Sequence, residues 1–236
     1  EAGNDYSNVE SMPENVYYGH RNVPSIASLE SDPSNWAYRA ESTKNGPEIP
    51  IPRGKIIGGS SSINAQILLR GIREDYDRWA EFGNEQWSFD KVLPYFIKLE
   101  NDLDFPNDDY HGKDGYIKVK RVPEKEWDPI HKAFYNSCID FGFPSCPDHK
   151  KPDSTGVGAL GFNQINGVRQ STAITYLNDI RFRPNLNIKS NCYVKKIITD
   201  KNKAIGVEII SDSKCLEIYS DEVIISAGAI ECPKLL

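Results

Sequence analysis

The spacing of apolar positions changes along the chain, and each change predicts a different kind of element. Residues 1 to 50 are polar and rich in turn formers, among them Pro13, Asn15, Pro24, Pro33, Pro47 and Pro50. Asp32-Pro33-Ser34 and Lys44-Asn45-Gly46-Pro47 are turn signals. This stretch predicts a long surface excursion with little regular structure, covering something or doing work of its own. Residues 60 to 70 turn apolar and predict a buried helix. Tyr76, Trp79 and Phe82 then recur at helical spacing and read as core. Ser88 is placed to cap a further helix that carries Val92, Leu93, Tyr95, Phe96 and Leu99 on one face, with Pro94 set to end or kink it.

Residues 101 to 114 are acidic and lack the ligand grammar of a calcium loop, which predicts a solvated loop. Gly115 to Lys120 alternates with period two, as a half-buried strand does. Ile130, Phe134 and Cys138 mark a helix over 129 to 141, and glycines and prolines then dominate to about Gly167, suggesting a flexible or site-lining loop. Another helix is predicted from Ser171 to about Asp179. From Leu186 the pattern becomes β, with strands predicted at 187–189, 193–199, 204–210, 215–219 and 222–226. The last of these runs through Ile224-Ile225-Ser226 into Ala227-Gly228-Ala229, a buried-type strand followed by small residues and a helix start. Such a junction lets a cofactor backbone approach a sheet edge.

The stretch around which the rest is organised is RGKIIGGSSSINAQILLRG, residues 53 to 71. Adjacent glycines, Gly58 and Gly59, let the backbone turn sharply and approach another molecule with no Cβ between them. Ser60, Ser61 and Ser62 follow, placed to cap a first helical turn whose amides favour electron-rich groups. Two readings stand side by side: a seat for a large planar or phosphorylated ligand, and a glycine-turned helix start packed into a core.

Composition narrows the choice of function. The chain has 236 residues, 39% hydrophobic and 26% charged, enough for one large domain or two small ones. A net charge of −6 argues against nucleic acid as the main partner. The cysteines (Cys138, Cys146, Cys192, Cys215 and Cys232) are odd in number and none are in CxxC spacing, which fits reduced thiols in a cytoplasmic compartment. No stretch reaches the ~20 apolar residues of a membrane span. The first residue is not Met and the last residues stop within an apolar run, so both ends read as cut. The four histidines, His20, His111, His131 and His149, show no metal or triad spacing, and His111 reads as a loop histidine with a structural hydrogen bond. Gly156 to Gly161 spells GxGxxG, but it follows a polar run and opens no helix, so it reads as a chance match. On residues alone the chain is a soluble α/β or α+β protein with a ligand-contacting glycine–serine turn.

Residues 53 to 79, RGKIIGGSSSINAQILLRGIREDYDRW, resemble the signature of the glucose–methanol–choline family of flavin oxidoreductases. Trp87 to Asp90, Leu93 to Phe96, Gly167 to Thr172, Tyr176-Leu177, Arg183 to Leu186 and Ser226 to Ile230 are similar to later parts of that family, in the right order. The resemblance implies an α/β fold: a partial FAD-binding Rossmann-like domain from 1–74 and 186–236, and part of an α+β substrate domain with an antiparallel sheet from 75–185. It implies that Glu1 binds the ribose hydroxyls of the adenosine half of FAD and that Val194 meets adenine through backbone groups. Gly59 and Ser60 are placed near the pyrophosphate and ribityl region, with Asn64 and Ala65 beside the flavin ring. Members with covalent FAD carry histidine where this chain has Ile63, so non-covalent FAD is implied.

The implied reaction is oxidation of a small-molecule alcohol by hydride transfer to flavin N5, with oxygen or another acceptor reoxidising the flavin. The catalytic histidine and its partner are not among these residues, and no metal is implied. This chain alone is expected not to turn over. Two other readings remain: a hydroxynitrile lyase on the same scaffold, and a non-catalytic remnant. A cytoplasmic location is expected, with attachment to a membrane surface as the alternative.

Overall fold

The computed structural model describes residues 1–19 and 30–236; the expectations for Pro24 and His20 fall outside them. In chain order the helices are α1 (Glu14–Tyr17), α2 (Arg73–Glu81), α3 (Phe89–Leu99), α4 (Pro129–Asp140), α5 (Asn178–Ile180) and α6 (Gly228–Leu235). The strands are β1 (Tyr38–Glu41), β2 (Glu48–Ile51), β3 (Glu100–Asp102), β4 (Ile117–Val119), β5 (Gln164–Ile165), β6 (Val168–Arg169), β7 (Tyr193–Asp200), β8 (Lys203–Ser211) and β9 (Lys214–Tyr219). The chain is a mixed helix and strand protein with antiparallel sheets. Among the described residues, no helix is long and apolar enough to cross a membrane.

Two compact units divide the described residues: 1–13, 30–63 and 178–236 form the first, and 14–19 and 64–177 the second. In the first unit, β7, β8 and β9 make an antiparallel three-stranded sheet with Val194 opposite Ile209 and Gly206 opposite Tyr219. These are three of the five strands expected from Leu186 onward. Residues 187–189 and 222–226 take no ladder among the described residues, and Ile224 is exposed. Apolar, β-branched content favours a strand, but a strand exists only where a neighbour completes its hydrogen bonds. The same unit holds the β1–β2 hairpin, so the excursion over 1 to 50 is more regular than its turn formers suggest. Asn45 at the hairpin's turn has φ 67, the left-handed conformation that asparagine tolerates.

The expected helix over 60 to 70 does not form. A single 3₁₀ turn, Gly59–Ser62, ends at Ile63, and the chain runs on extended. Gln66 lies at φ 61, Ile67 bridges Phe162, and Leu68 N donates to Gly161 O at 2.9 Å. Partners distant in sequence claim the backbone groups that a helix would have used.

In the second unit, α2 and α3 form where the spacing places them. Ser88 caps α3 through its carbonyl, which accepts from Lys91 N and Val92 N, rather than through its hydroxyl. Pro94 sits inside α3, which continues through it at the cost of one amide bond. The expectation that the aromatic stripe is core does not hold. Tyr76, edge-on to Trp79 and Phe96 and near Phe89, is half-buried, whereas Trp79 and Phe82 are exposed, Phe82 by 76%. On α4 the stripe residues Ile130 and Phe134 are likewise exposed. The strand expected at 115–120 appears as β4, paired in parallel with β3; Lys120 beyond it bridges Phe162 antiparallel, and the antiparallel ladder of this unit is β5–β6. The acidic stretch expected to be solvated contributes Asp102 to the interior. The helix expected from Ser171 is a π-helical turn over Ala173–Leu177 that runs into α5.

Candidate functional site

In the first unit, the glycine pair lies at the end of a hydrogen-bonded ribbon. Residues 1–4 run between two other segments, with a bend at Gly3. On one side Ile57 N donates to Asn4 O at 2.9 Å, and Asn4 bridges Ile56 in parallel. On the other, Asn191 N donates to Gly3 O and Cys192 N to Glu1 O, at 3.0 and 2.9 Å. Gly3 makes this closeness possible, because a Cβ there would stand 1.7 Å from the Lys55 carbonyl oxygen. Glu1 is therefore tied to the segment entering β7, where Val194 is the second residue, and residues 3 and 4 are tied to the segment that ends in Gly58-Gly59. Three of the proposed contact points, Glu1, Gly59-Ser60 and Val194, are held by one ribbon.

The turn itself depends on glycine. Gly58 and Gly59 have φ 83 and 56, and a Cβ on Gly59 would meet no atom within 4 Å. The space beside Gly59 is thus open to an approaching group. Gly54 approaches from the other side, where a Cβ would come 2.3 Å from Gly59 O. Each serine takes a separate role. Ser62, buried, donates to Ile57 O at 2.8 Å; Ser61 donates to Gly58 O at 2.6 Å; and exposed Ser60 accepts from Gly54 N at 3.1 Å, keeping its own proton to donate. The serines brace the turn from within instead of capping an α-helix. The Glu1 carboxylate accepts from Gly3 N through Oε1 at 2.8 Å, which leaves Oε2 for another donor. Ile63, next to the braced turn, is 2% exposed.

An aromatic block stiffens this unit. Trp36 stacks on Tyr38 at 5.7 Å and meets the edge of Tyr193 at 6.2 Å, with the Lys55 ammonium over its ring. The Tyr38 hydroxyl donates to Glu231 on α6. Burial raises the Tyr38 hydroxyl pKa, and the hydrogen bond and charge of Glu231 raise it further. The sequence reading missed this block, since nothing in the spacing pairs Tyr38 with Glu231.

Asn64 and Ala65 belong to the second unit and are exposed there. The guanidinium of buried Arg169 donates to Asn64 O at 2.6 Å and to Asn64 Oδ1 at 3.0 Å. Burial lowers the Arg169 pKa to about 10. The sequence reading placed Arg169 in a family-like stretch without giving it a role. The Asn166-Gly167 pair between β5 and β6 is the clue that this arginine sits at a fixed strand position.

A second site in the same unit is a buried ionic cluster. Lys150 Nζ lies 2.7 Å from Glu100 Oε2 and 2.6 Å from Asp102 Oδ2. Arg121 reaches Asp102 and Asp148, and Arg70 reaches Glu100. His111 sits between Glu100 at Nδ1, 2.9 Å, and Asp148 at Nε2, 2.7 Å. Gly112 and Gly115 allow the loop to press onto β3, where a Cβ on either would strike Glu100 O. Glu100, Asp102 and His111 present ligand atoms within 4.8 Å of one another, as a metal site would. The Lys150 ammonium already stands against both carboxylates and supplies the cation.

Carboxylates only accept, so an imidazole with a carboxylate at each nitrogen is held doubly protonated. Burial alone would lower the His111 pKa, but the hydrogen bonds it donates to Asp148 and Glu100 outweigh it and raise it. Burial would likewise raise Glu100 and Asp148; the hydrogen bond from His111, with Lys150 against Glu100, instead holds both below the usual range. The raised histidine contributes stability that is complete below its unfolded pKa of about 6.5 and lost as pH rises through its folded value. The lowered carboxylates contribute stability that is lost as pH falls below about 4. Denaturant melts across pH are therefore expected to show greatest stability between these limits. In His111→Asn the alkaline decline should disappear; an unchanged decline would assign it to another group.

With this geometry, the first unit is a sheet-and-ribbon scaffold that presents a braced glycine turn. The chain belongs to the GMC oxidoreductase family, whose model matches residues 25–236. The acceptor-type alcohol dehydrogenase of Pseudomonas putida is 35% identical over 207 residues, covering 86% of this chain and 37% of that protein. The structure of pyridoxine 4-oxidase from Mesorbium loti superposes with a TM-score of 0.87 at 27% identity, over 100% of this chain and 45% of that one. A formate oxidase from Aspergillus oryzae, solved in a study of its FAD modification, gives a TM-score of 0.82 at 26% identity, over 100% of this chain and 41% of that one. The chain spans less than half the length of these relatives.

Proposed function

We propose that this chain is the FAD-holding part, with some of the substrate-side part, of an enzyme that oxidises a small-molecule alcohol. The single observation that carries this reading is the ribbon joining Glu1, the Gly58-Gly59-Ser60 turn and the start of β7 within one unit. It supports the assignment of Glu1 to a ribose diol, since a carboxylate oxygen not used by Gly3 N can accept from hydroxyls. The open space beside Gly59 and the Ser60 proton suit the pyrophosphate and ribityl region, and the Val194 backbone suits adenine. Further along the chain, Asn64 and Ala65 are assigned as donors for the polar edge of the flavin. Residues 75 to 185 are the substrate-side part.

When bound, FAD supplies the hydride acceptor for the alcohol carbon. The residues of this chain bind and orient that group, and donors at its polar edge favour negative charge there. The proton-accepting base is assigned to none of them. His111 has both nitrogens committed to buried carboxylates, and His131 lies on the exposed face of α4. Oxygen or another acceptor completes the cycle.

FAD is held without a covalent bond. Ile63 stands where a linking histidine would be required, and a buried aliphatic side chain has no atom to form the bond. Acid denaturation of the full-length protein carrying this chain should therefore release all its flavin into the supernatant. A flavin-bearing polypeptide in the pellet would refute the non-covalent reading. Anaerobic addition of the alcohol substrate should bleach the flavin; cleavage of a hydroxynitrile with the flavin left oxidised would point to the lyase.

A further inference from the structure

The segment Asn64-Ala65-Gln66 is gripped by the β5–β6 hairpin. Asn166 and Gly167, both at positive φ (50 and 82), form its two-residue turn and fix Gln164 opposite Arg169. Gln164 Nε2 donates to Gln66 Oε1 at 3.2 Å and to Gly19 O at 2.7 Å. Gln66 Nε2 donates to the same Gly19 carbonyl at 3.0 Å, and Asn163 N donates to Gln66 O at 2.8 Å. Gln66 is thereby buried and anchored in a left-handed conformation that is strained for a non-glycine residue. This strain is maintained by contacts on both its side chain and its carbonyl. Next to this anchor, Asn64 and Ala65 remain exposed.

Asn64 is where the grip becomes specific. Two donors converge on its Oδ1: Arg169 Nη1 at 3.0 Å and Gln66 N at 3.0 Å. An atom approached by two N–H groups is the carbonyl oxygen of the carboxamide, so its orientation is fixed by the network. Arg169 Nη1 also holds the Asn64 backbone carbonyl at 2.6 Å. Both oxygens of Asn64 are thus held by the buried guanidinium, leaving the NH₂ of this exposed residue outside the network.

We propose that Arg169 is a positioning residue. By holding both oxygens of Asn64, it presents the Asn64 carboxamide N–H as a donor to a carbonyl acceptor on the bound ring ligand. This rests on the flavin reading for the identity of the ligand, but not for the orientation of Asn64. Arginine suits the role because its charge persists when buried and its fork can meet two oxygens from one side.

The test uses the full-length protein carrying this chain, with Arg169→Gln, Arg169→Lys, Asn64→Ala and the double variant Asn64→Ala/Arg169→Gln. In flavin-free protein labelled with ¹⁵N-asparagine, the Asn64 carboxamide signals are identified by their loss in Asn64→Ala. Arg169→Gln should collapse them toward those of a freely rotating exposed asparagine, and Arg169→Lys, which keeps one charged donor, should restore part of their dispersion. In flavin-loaded protein, Arg169→Gln and Asn64→Ala should lower the flavin reduction potential by similar amounts, with the double variant lower by no more than either. Signals unchanged in Arg169→Gln, or potential shifts that add in the double variant, would overturn the positioning role. If Arg169→Gln does not fold, the Arg169→Lys signals decide alone, and unchanged dispersion with an unchanged potential would count against it. A flavin-free wild type, or an Asn64→Ala potential equal to the wild type's, would reject the flavin reading while the carboxamide signals still decide the role of Arg169.

Discussion

Replacing Lys150 with methionine is expected to destabilise the protein by about 3–5 kcal/mol, the usual cost of removing one partner from a buried ion pair. Methionine nearly matches the volume of lysine, so little of the loss would come from a cavity. The loss arises because Glu100 and Asp102 would face one another without the ammonium now 2.7 and 2.6 Å away. Arg70, Arg121 and His111 would remain as cations but are already committed to particular oxygens. Urea unfolding of the two proteins measures the difference. Adding Asp102→Asn to the methionine variant should recover part of it by removing one of the stranded charges. A loss under about 1 kcal/mol would mean that water reaches the cluster and screens it, as at exposed pairs.

The second large effect is expected at Gly3. Gly3→Val would place a branched side chain where a single Cβ would already stand 1.7 Å from Lys55 O. The clash is with backbone, so it cannot be relieved by a rotamer change, and the cost should exceed the ~1–3 kcal/mol of ordinary overpacking. The ribbon would separate, and Glu1 and the glycine turn would lose their common support. Both thermal stability and FAD retention of the full-length protein should fall. Gly59→Ala provides the contrast. Space is free around its Cβ position, so stability should drop only by the ~1–2 kcal/mol of a left-handed non-glycine residue, while FAD retention drops further because the methyl group enters the seat. Equal effects of the two substitutions on stability and retention would remove the distinction between scaffold and seat.

The elements that could be read in advance are those set by neighbours in sequence. The glycine pair needs left-handed φ wherever it sits, and α2, α3, α4 and the strands β7 to β9 follow from local spacing and turns. The misread elements depend on partners far along the chain. The apolar run after Ser62 has helical composition, yet Asn163 and Gly161 take its backbone groups, and Ile67 pairs with Phe162 instead of continuing a helix. Glu100, Asp102 and His111 look like an acidic loop until Lys150, Asp148 and Arg121 are seen to neutralise them. The assignment of Glu1 and the glycine turn to one ligand was implied only by family resemblance. The ribbon that joins them depends on Gly3, whose need to be glycine is apparent only when Lys55 lies against it.

Hydrogen–deuterium exchange of the full-length protein, stripped of FAD and then given it back, tests the seat most directly. New protection should concentrate at residues 1–4, 58–63 and 192–194, while the sheet formed by β8 and β9 stays unchanged. Tight FAD binding that leaves those three segments exchanging as before would place the cofactor elsewhere and contradict the account.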